Sequence, residues 1–459
     1  MRKDYIDRII DSAIDRKLHS SGALMIVGPK DCGKTTTAKR FAKTMYSFDT
    51  KEKINFYNMN PSAALKGEYP ILIDEWQNIL TIYDLIRIKV DEDSGIGEFI
   101  LTGSTMPTDD EDVKENILHS GAGRFSFIEM YPLSLFESGE SLGNISLSEL
   151  FSNKCNFSSF ESPNTLEDMA YYLCRGGWPY SLKLENKNYS LDVAFNYLDA
   201  ILNTNTNRGK RYFESVDLAS LILKEYARTI SSDASTNKIV ESLARRDSSI
   251  TLYKYNNYIE KFKNLYIIKD LPSWNPNLRS KVITRTSETK HFVDPSIATA
   301  VLGISPNNLL NDLNTFGLLF EDLVVRDLRV YSEYSLNATL RHYRDKSNLE
   351  VDIVINRRND EWAAIEVKLG GEEAIQKGIS NLRKLRDKID YEHEKQPSFL
   401  AVITAFGSSY KTEDGIYVFP ITQLKDWWYK ITCCLYELFL LCHEQFLLTI
   451  FIKTCKIGQ

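Results

Sequence analysis

The first 130 residues of the chain alternate short apolar runs with amphipathic stretches. The runs ALMIV (23–27), YPILID (69–74) and EFILT (98–102) have the length of buried strands, and helix-like segments at 34–46 and 79–90 separate them. Apolar strands that alternate with helices are typical of a parallel sheet with crossover helices. The pattern therefore predicts an α/β unit at the amino-terminal end.

The remainder of the chain changes its pattern twice. Residues 166–230 have helical periodicity. Residues 236–292 contain two or three short helices followed by KVITRTSETKHFV, which reads as a hairpin, and together they predict a winged helix-turn-helix. From 311 to 420, a helix precedes the strands VDIVIN and AAIEVKL, a helix at 373–388 and the strands FLAVIT and GIYVFP. This order predicts a second α/β unit.

Composition and charge restrict the classes of function. A chain of 459 residues is too long for one ordinary core, so several packed units are expected. The 56 Lys and Arg against 62 Asp and Glu give a net charge of -6, which excludes a polycation that coats nucleic acid. The charge is uneven, with a net of -11 between residues 91 and 150 and +7 between 208 and 290. Any contact with nucleic acid must therefore be local.

The two ends of the chain bear on its location. The first residues, MRKDYIDRIIDSAIDRK, contain no apolar run of the kind that a signal peptide needs, and an odd count of seven cysteines favours a reducing compartment, so we expect a cytoplasmic protein. Between 431 and 452, 16 of 22 residues are apolar, but Glu437 and the cluster His443-Glu444-Gln445 interrupt them. A membrane span needs a nearly uninterrupted run. A terminal helix docked on the fold or on a partner is the favoured interpretation.

The segment GPKDCGKTT fits the pattern G-x-x-x-x-G-K-[ST] and lies between a predicted strand and a predicted helix. Such a loop wraps backbone N–H groups around a β-phosphate, and its lysine reaches the β and γ oxygens. The hydroxyl of Thr35 is the expected ligand of Mg²⁺. The predicted nucleotide-binding residues are Gly28, Pro29, Lys30, Asp31, Cys32, Gly33, Lys34, Thr35 and Thr36.

Acidic and hydroxyl side chains follow two of the predicted strands. In ILIDE, we expect Asp74 to hold Mg²⁺ and Glu75 to orient or deprotonate the attacking water. In EFILTGS, Thr102 and Ser104 stand at a strand end, where a polar side chain senses the γ-phosphate. A plain turn is the alternative interpretation for this second pair.

Phosphoryl transfer is accelerated by positive charge on the transition state, which an arginine often supplies. Arg124 in HSGAGR is the first candidate, acting within the chain or across a subunit interface, and Arg175 in CRGGWP is the second. The alternative for each is a structural pair with nearby acids.

These motifs, with MYPLSLFESGES, GGWP, LPSWNPNLRSK, HFVDPSIA and EVKLG, resemble the prokaryotic AAA-type ATPases that carry a carboxy-terminal domain of unknown function. The resemblance extends from about residue 5 to about 424. It implies a P-loop ATPase of the ASCE class, a helical module, a winged helix and a domain similar to the restriction-endonuclease (PD-(D/E)xK) fold. It also implies that Pro179, in Gly177-Trp178-Pro179, contacts the nucleotide.

A second constellation of charged residues lies between 311 and 370. Glu321 lies at the edge of an apolar helical stripe, Asp352 lies in one predicted strand, and Glu366 and Lys368 share one face of the next. This is the D…E-x-K layout of metal-dependent nucleases, in which carboxylates hold Mg²⁺ and the lysine activates water or steadies the phosphate. The alternative is a domain of the same fold that binds nucleic acid or protein and cuts nothing.

The predicted winged helix carries a set of basic residues that would face a phosphate backbone, with Tyr253, Tyr255 and Tyr258 between them. The alternative is that these tyrosines pack the core and that the charges form a solvated face. The basic residues are Arg245, Arg246, Lys254, Lys261, Lys263, Lys269, Arg279, Lys281 and Arg285.

The sequence thus predicts five segments, namely an ATPase core at 1–135, a linker and helical module at 136–230, a winged helix at 231–300, a nuclease-like domain at 311–424 and an apolar tail at 425–459. The leading hypothesis is an ATPase that controls a winged helix and a nuclease-like domain acting on DNA. The alternative is a nucleotide-gated signalling or defence switch whose carboxy-terminal domain binds a partner without cleavage. A second copy of the chain or another protein is a further expected partner, and a membrane is not.

Overall fold

The computed structural model describes residues 5–93, 95–104, 121–203, 212–276, 287–389 and 395–426. The predicted phosphate contacts Arg279, Lys281 and Arg285 lie outside the described residues, as does the apolar segment 431–452. In the described part of the chain, no helix is both long enough and apolar enough to cross a membrane.

The helices are α1 (Ile10–Leu18), α2 (Lys34–Ala38), α3 (Lys51–Met59), α4 (Thr81–Asp93), α5 (Leu135–Ser138), α6 (Leu147–Phe151), α7 (Leu166–Arg175), α8 (Lys187–Leu202), α9 (Val216–Ala227), α10 (Thr236–Ala244), α11 (Leu252–Asn264), α12 (Pro295–Leu302), α13 (Pro306–Asn311), α14 (Leu313–Tyr331) and α15 (Glu372–Lys388). The strands are β1 (Ala23–Val27), β2 (Thr44–Ser47), β3 (Ile71–Asp74), β4 (Phe99–Thr102), β5 (Phe125–Glu129), β6 (Ile145–Ser146), β7 (Ala338–Arg344), β8 (Glu350–Arg357), β9 (Trp362–Lys368), β10 (Phe399–Thr404), β11 (Tyr410–Lys411), β12 (Tyr417–Pro420) and β13 (Leu424–Lys425).

The amino-terminal unit is a five-stranded parallel sheet in the order β2-β3-β4-β1-β5. Strands β1, β3 and β4 are buried at every position, which matches their continuous apolar runs and confirms the predicted parallel sheet. The predicted helix at 34–46 is wrong in its second half, because α2 ends at Ala38 and β2 begins at Thr44. β2 pairs on one side only and is partly exposed, so its sequence TMYS lacks the apolar run of a central strand.

The middle of the chain is helical, as predicted, from α7 to α11. Two short helices, α10 and α11, precede a pair of antiparallel bridges, Ile268 to Phe292 and Leu271 to Thr289. Thr289 and Phe292 belong to the predicted hairpin at 281–293, of which residues 281–286 lie outside the described part of the chain.

The carboxy-terminal unit is a mixed sheet in the order β11-β12-β10-β9-β8-β7, with α15 on one face. The predicted strands VDIVIN, AAIEVKL, FLAVIT and GIYVFP correspond to β8, β9, β10 and β12. β7, which forms an antiparallel hairpin with β8, was not predicted. The charged segment Arg344-Asp345-Lys346 lies where β7 ends and turns towards β8.

The units share one continuous core. A single cluster of buried apolar residues extends from α1 and β1 through α7, α8 and α9 to α14 and on to β9 and β10. Separate clusters cover the far face of the parallel sheet and the face of the mixed sheet beneath α15. The short strand β6 also pairs with β13 near the end of the described chain. Because close-packed interiors transmit strain, a rearrangement of one unit should change the packing of its neighbours.

Candidate nucleotide site and carboxylate cluster

The phosphate loop connects β1 to α2. Gly28 and Gly33 have φ angles of 140° and 104°, which L side chains rarely adopt, and a Cβ at Gly28 would lie 2.3 Å from the carbonyl oxygen of Met130. The Lys34 ammonium donates hydrogen bonds to the carbonyl oxygens of Gly28 (2.9 Å) and Pro29 (2.7 Å). The lysine therefore lies over the loop, where the oxygens of a polyphosphate can replace these two carbonyls.

The strand ends bring three of the predicted residues into direct contact. Asp74 Oδ1 accepts hydrogen bonds from Thr35 Oγ1 (2.7 Å) and from Thr102 Oγ1 (2.6 Å). Parallel pairing of β3 with β4 sets Asp74 opposite Thr102 in register. A hydroxyl and a carboxylate are the hard oxygen donors that Mg²⁺ prefers, so Thr35 and Asp74 fit this ion.

Glu75 follows Asp74 and adopts a left-handed conformation with φ 57° and ψ 44°. This region is strained for a residue with a side chain, and it turns Glu75 out of the strand direction. Glu75 Oε2 accepts a hydrogen bond from Gln77 Nε2 at 2.5 Å. Glu75 and Ser104 both line the cleft that contains the phosphate loop.

That cleft has a volume of about 900 Å³ and lies between the loop and the helical module. Pro179, Tyr180 and Lys183 line its far wall together with Asn196 and Tyr197 of α8. A methyl group at Gly33 would lie 3.8 Å from Pro179 Cγ, so Pro179 adjoins the loop. The family resemblance indicated only Pro179 on this wall, and α8 has no motif that distinguishes it from an ordinary core helix.

The two predicted arginines lie away from the phosphate loop. Arg124 precedes β5, and its carbonyl oxygen accepts from the amide of Ala23, the first residue of β1. The loop follows Val27, the last residue of β1, so Arg124 lies at the opposite end of β1 from the nucleotide site of its own chain. The exposed Arg124 side chain donates to Asp91 at 2.6 Å. Its role across a subunit interface stays a prediction.

Arg175 forms a structural pair with a nearby acid, which was the alternative interpretation for this residue. Its side chain is buried, forms an ion pair with Glu140 and stands near the rings of Tyr171 and Tyr172. Among the residues that line the nucleotide cleft, Arg175 is absent.

Sequence reasoning missed Arg8, a buried arginine behind the loop. Its guanidinium donates to the carbonyl oxygens of Cys32 (2.9 Å) and Tyr131 (2.7 Å) and to Glu137 Oε1 (3.0 Å). Glu137 also caps α5 through Ser134, a box of the form S-x-x-E that is visible in the sequence. Cys32 itself is buried, and burial raises the pKa of its thiol, which agrees with a packing role.

The loop, the Thr35–Asp74 contact and the parallel sheet coincide with a match to a known family model. Residues 20–138 match the model described as "AAA domain". Residues 20–138 are an AAA-type P-loop ATPase domain. Residues 166–308 and 316–424 of the chain match two models described as domains of unknown function, DUF8612 and DUF4143. The expected resemblance is confirmed for an AAA domain that is followed by domains of unknown function.

The chain is also similar to uncharacterised proteins of Mycobacterium bovis and Mycobacterium tuberculosis. Each is 21% identical over 349 residues, which cover 74% of this chain and 69% of the relative. Among solved structures, a Walker-type ATPase of Pyrococcus abyssi is 14% identical with a TM-score of 0.40, covering 65% of this chain and 97% of its own. The ORC2 protein of Aeropyrum pernix is 12% identical with a TM-score of 0.29, covering 66% of this chain and 93% of its own.

The carboxy-terminal sheet brings together the second set of predicted residues. Lys368 Nζ lies 3.1 Å from Asp352 Oδ2 and 2.6 Å from Glu366 Oε2, and Asn381 of α15 donates to Glu366 Oε1. Burial raises the pKa of Glu321 and that of Glu366, the latter to about 8, and the charge of Asp352 adds to both shifts. The four predicted side chains therefore share one electrostatic cluster.

The predicted Mg²⁺ in this cluster does not fit the arrangement of the side chains. Within the described ranges, no group of three or more His, Cys, Asp or Glu side chains is placed to hold a metal. The Lys368 ammonium occupies the position between Asp352 and Glu366 that a cation would need. Entry of Mg²⁺ requires this ammonium to move, because it lies within ion-pair distance of both carboxylates.

Several basic residues of the middle unit form pairs within the chain. Lys263 pairs with Asp270 (2.6 Å), Lys269 pairs with Glu129 of β5 (2.5 Å), and Arg246 lies 3.8 Å from Glu225. Tyr255 and Tyr258 are buried, as in the core alternative, whereas Tyr253 is 81% exposed. The pair of Lys269 with Glu129 shows that this unit uses its charge to contact the ATPase sheet.

Proposed function

We propose that this chain is a nucleotide-gated switch, in which Mg²⁺–ATP binding and hydrolysis at the phosphate loop change how the ATPase domain holds the carboxy-terminal domain. Thr35 and Asp74 hold Mg²⁺, Lys34 contacts the β and γ oxygens, and Glu75 orients the attacking water. Thr102 fixes Asp74 through its hydrogen bond of 2.6 Å.

The observation that carries the proposal is a buried polar network from the loop to α14. Arg8 links the carbonyl of Cys32 to Glu137, and the amide of Leu135 donates to Asp327 Oδ2 of α14 at 3.0 Å. Asp327 in turn pairs with Arg326, which binds Asp294 Oδ2 at 3.0 Å. Buried charges held in such a network have few alternative arrangements, because an unpaired charge is costly to bury. A shift of the loop must therefore be accommodated along this route.

The test combines hydrolysis with hydrogen exchange. Lys34→Ala should abolish phosphate release from ATP, whereas Lys39→Ala, an exposed lysine on the same segment, should retain it. In the wild-type chain, Mg²⁺–ATP should slow exchange of the α14 amides, and Lys34→Ala should remove that protection. Hydrolysis without any change at α14 would leave an ATPase but refute the switch.

A second candidate function is action of the carboxy-terminal domain on nucleic acid, including cleavage, of which the D…E-x-K layout is typical. What supports it is the placement of Asp352, Glu366 and Lys368 on the adjacent strands β8 and β9. The ion pairs of Lys263 and Lys269 weaken the case for a phosphate-binding face on the middle unit.

Cleavage is tested with labelled DNA and RNA, single- and double-stranded, incubated with the protein, ATP and Mg²⁺. Activity that disappears in Asp352→Asn and in EDTA, and survives in Asp360→Asn, an exposed position in the turn between β8 and β9, would support a nuclease. Intact substrates under all these conditions would leave the non-cutting switch.

A further inference from the structure

Tyr197 of α8 is a buried tyrosine on the wall of the nucleotide cleft. It is 5% exposed, and the hydrogen of its buried hydroxyl has no acceptor among the described residues. A buried hydroxyl whose hydrogen has no acceptor destabilises the folded state, and most such groups in native proteins are satisfied. An ordinary core tyrosine would place its hydroxyl at the surface or on a partner, so the position of this hydroxyl requires another explanation.

The ring of Tyr197 is held in place by its neighbours. It packs on Trp178 with ring centroids 4.2 Å apart, and Trp178 Nε1 donates to Ser296 Oγ at 2.9 Å. Ser296 and the amide of Gly177 both bond to Asp294, which is buried. The ring of Tyr197 therefore lines the cleft in a fixed position, and its buried hydroxyl lies behind that wall.

The surroundings of the hydroxyl identify what it binds. Burial, with the nearby Cys32 and Asp31, raises the pKa of Tyr197 well above its usual value, so the phenol keeps its hydrogen at neutral pH. The amide of Lys30 acts on the hydroxyl oxygen, but an amide is a donor and leaves the O–H hydrogen without an acceptor. The missing partner of this hydroxyl is thus a group next to the phosphate loop that accepts a hydrogen bond from its O–H.

We propose that Tyr197 donates its hydroxyl hydrogen to a phosphate oxygen of the bound nucleotide and thereby couples α8 to the nucleotide. This inference rests on the proposed nucleotide-binding function of the loop and names a further residue of that site. The contact extends from Tyr197 through Trp178 and Ser296 to Asp294, which Arg326 of α14 also binds. The nucleotide phosphates are then linked to α14 by two routes, one through Tyr197 and the helical module and the other through Arg8.

The test is Tyr197→Phe in the full chain, which removes the hydroxyl and keeps the ring on Trp178. Affinity for Mg²⁺–ATP, measured by calorimetry, should fall about 10- to 100-fold, the loss expected for one hydrogen bond to a charged group. Inorganic tripolyphosphate should lose affinity by a similar factor. A loss for ATP with tripolyphosphate unchanged would place the hydroxyl on the base or ribose and overturn the phosphate contact.

Thermal unfolding without nucleotide distinguishes this role from a packing role. Removal of an unpartnered buried hydroxyl should leave the melting temperature unchanged or raise it, whereas loss of a structural contact would lower it. Tyr171→Phe, whose hydroxyl bonds to Ser190 away from the cleft, is the control and should retain wild-type affinity. Equal affinities of the wild type and Tyr197→Phe for Mg²⁺–ATP would refute the inference about Tyr197, and Lys34→Ala would still test the phosphate loop. A wild-type protein that binds no nucleotide would refute both this inference and the proposed nucleotide-binding function.

Discussion

At the scale of single residues, similar carboxylates have opposite electrostatic environments. Burial and the charge of Asp352 raise the pKa of Glu366 to about 8 even though Lys368 opposes the shift. Burial also acts to raise the pKa of Asp345, but hydrogen bonds from Lys388, Ser347 and the amide of Leu349 outweigh it and lower that pKa to about 2. The second carboxylate is a structural anchor of the β7–β8 hairpin.

Asp345→Asn should therefore destabilise the protein by about 2 kcal/mol at pH 7, since a shift of one pKa unit corresponds to about 1.4 kcal/mol. The folded pKa lies below the unfolded value of 3.8, so the stabilisation is present above pH 4 and disappears as the pH falls towards 2. Urea denaturation of both proteins at several values of pH measures this. A difference that stayed constant down to pH 2 would contradict the electrostatic origin.

At the scale of elements, close backbone contacts join the ATPase sheet to the helical module. Gly177, between α7 and α8, accepts a hydrogen bond from the amide of Leu133 at 2.7 Å, and its own amide bonds to Asp294. A Cβ at Gly177 would lie 2.2 Å from the carbonyl oxygen of Leu133. No side chain fits there without separating the two segments, which carry α5 and the cleft wall.

Gly177→Ala should displace Pro179 from the loop, lower the stability by about 1–3 kcal/mol and weaken ATP binding. The matched control is Gly317→Ala in α14, where the nearest atom to a new Cβ is 3.9 Å away. This control should stabilise the helix by about 0.5–1 kcal/mol. Thermal unfolding and ATP titration of both variants measure the contrast, and equal effects would remove the packing argument.

At the scale of the whole molecule, the domains form a continuous body rather than separate units on linkers. Arg8, near the amino-terminal end, bonds across more than a hundred residues to Tyr131 and Glu137. The core and the polar network then continue to α14 and the mixed sheet. Such a body is suited to transmit a change at the loop, because its contacts are shared between domains.

Arg8→Ala should destabilise the protein by about 3–5 kcal/mol, because it leaves Glu137 buried without its partner. Glu137→Ala should be similarly harmful, and the double variant should cost less than the sum, with a coupling of about 0.5–3 kcal/mol. Arg383→Ala, which removes an exposed pair with Asp414, should cost less than about 1 kcal/mol. Chemical denaturation of the five proteins completes the cycle, and additive costs would contradict a coupled network.

The sequence alone determined the features that depend on local spacing. The apolar runs of β1, β3 and β4 identified a parallel sheet, since strands buried on both faces need continuous apolar residues. The spacing of Gly28, Gly33 and Lys34 identified the phosphate loop. The position of Asp74 at the end of a strand identified it as the acidic partner of that loop. Asp352, Glu366 and Lys368 were likewise found from their alternation along two strands.

Only the tertiary structure decided which distant residues meet. Arg8 and Tyr197 acquire their roles from residues far along the chain, and Arg124 lies at the opposite end of β1 from the loop. Lys368 stands between two carboxylates where the sequence suggested a metal. These outcomes depend on the order of the strands and on packing between domains, and neither produces a fixed spacing of residues in the sequence. The conformation and burial of a single helix or strand do produce such a spacing, because side chains on one face recur with a fixed period.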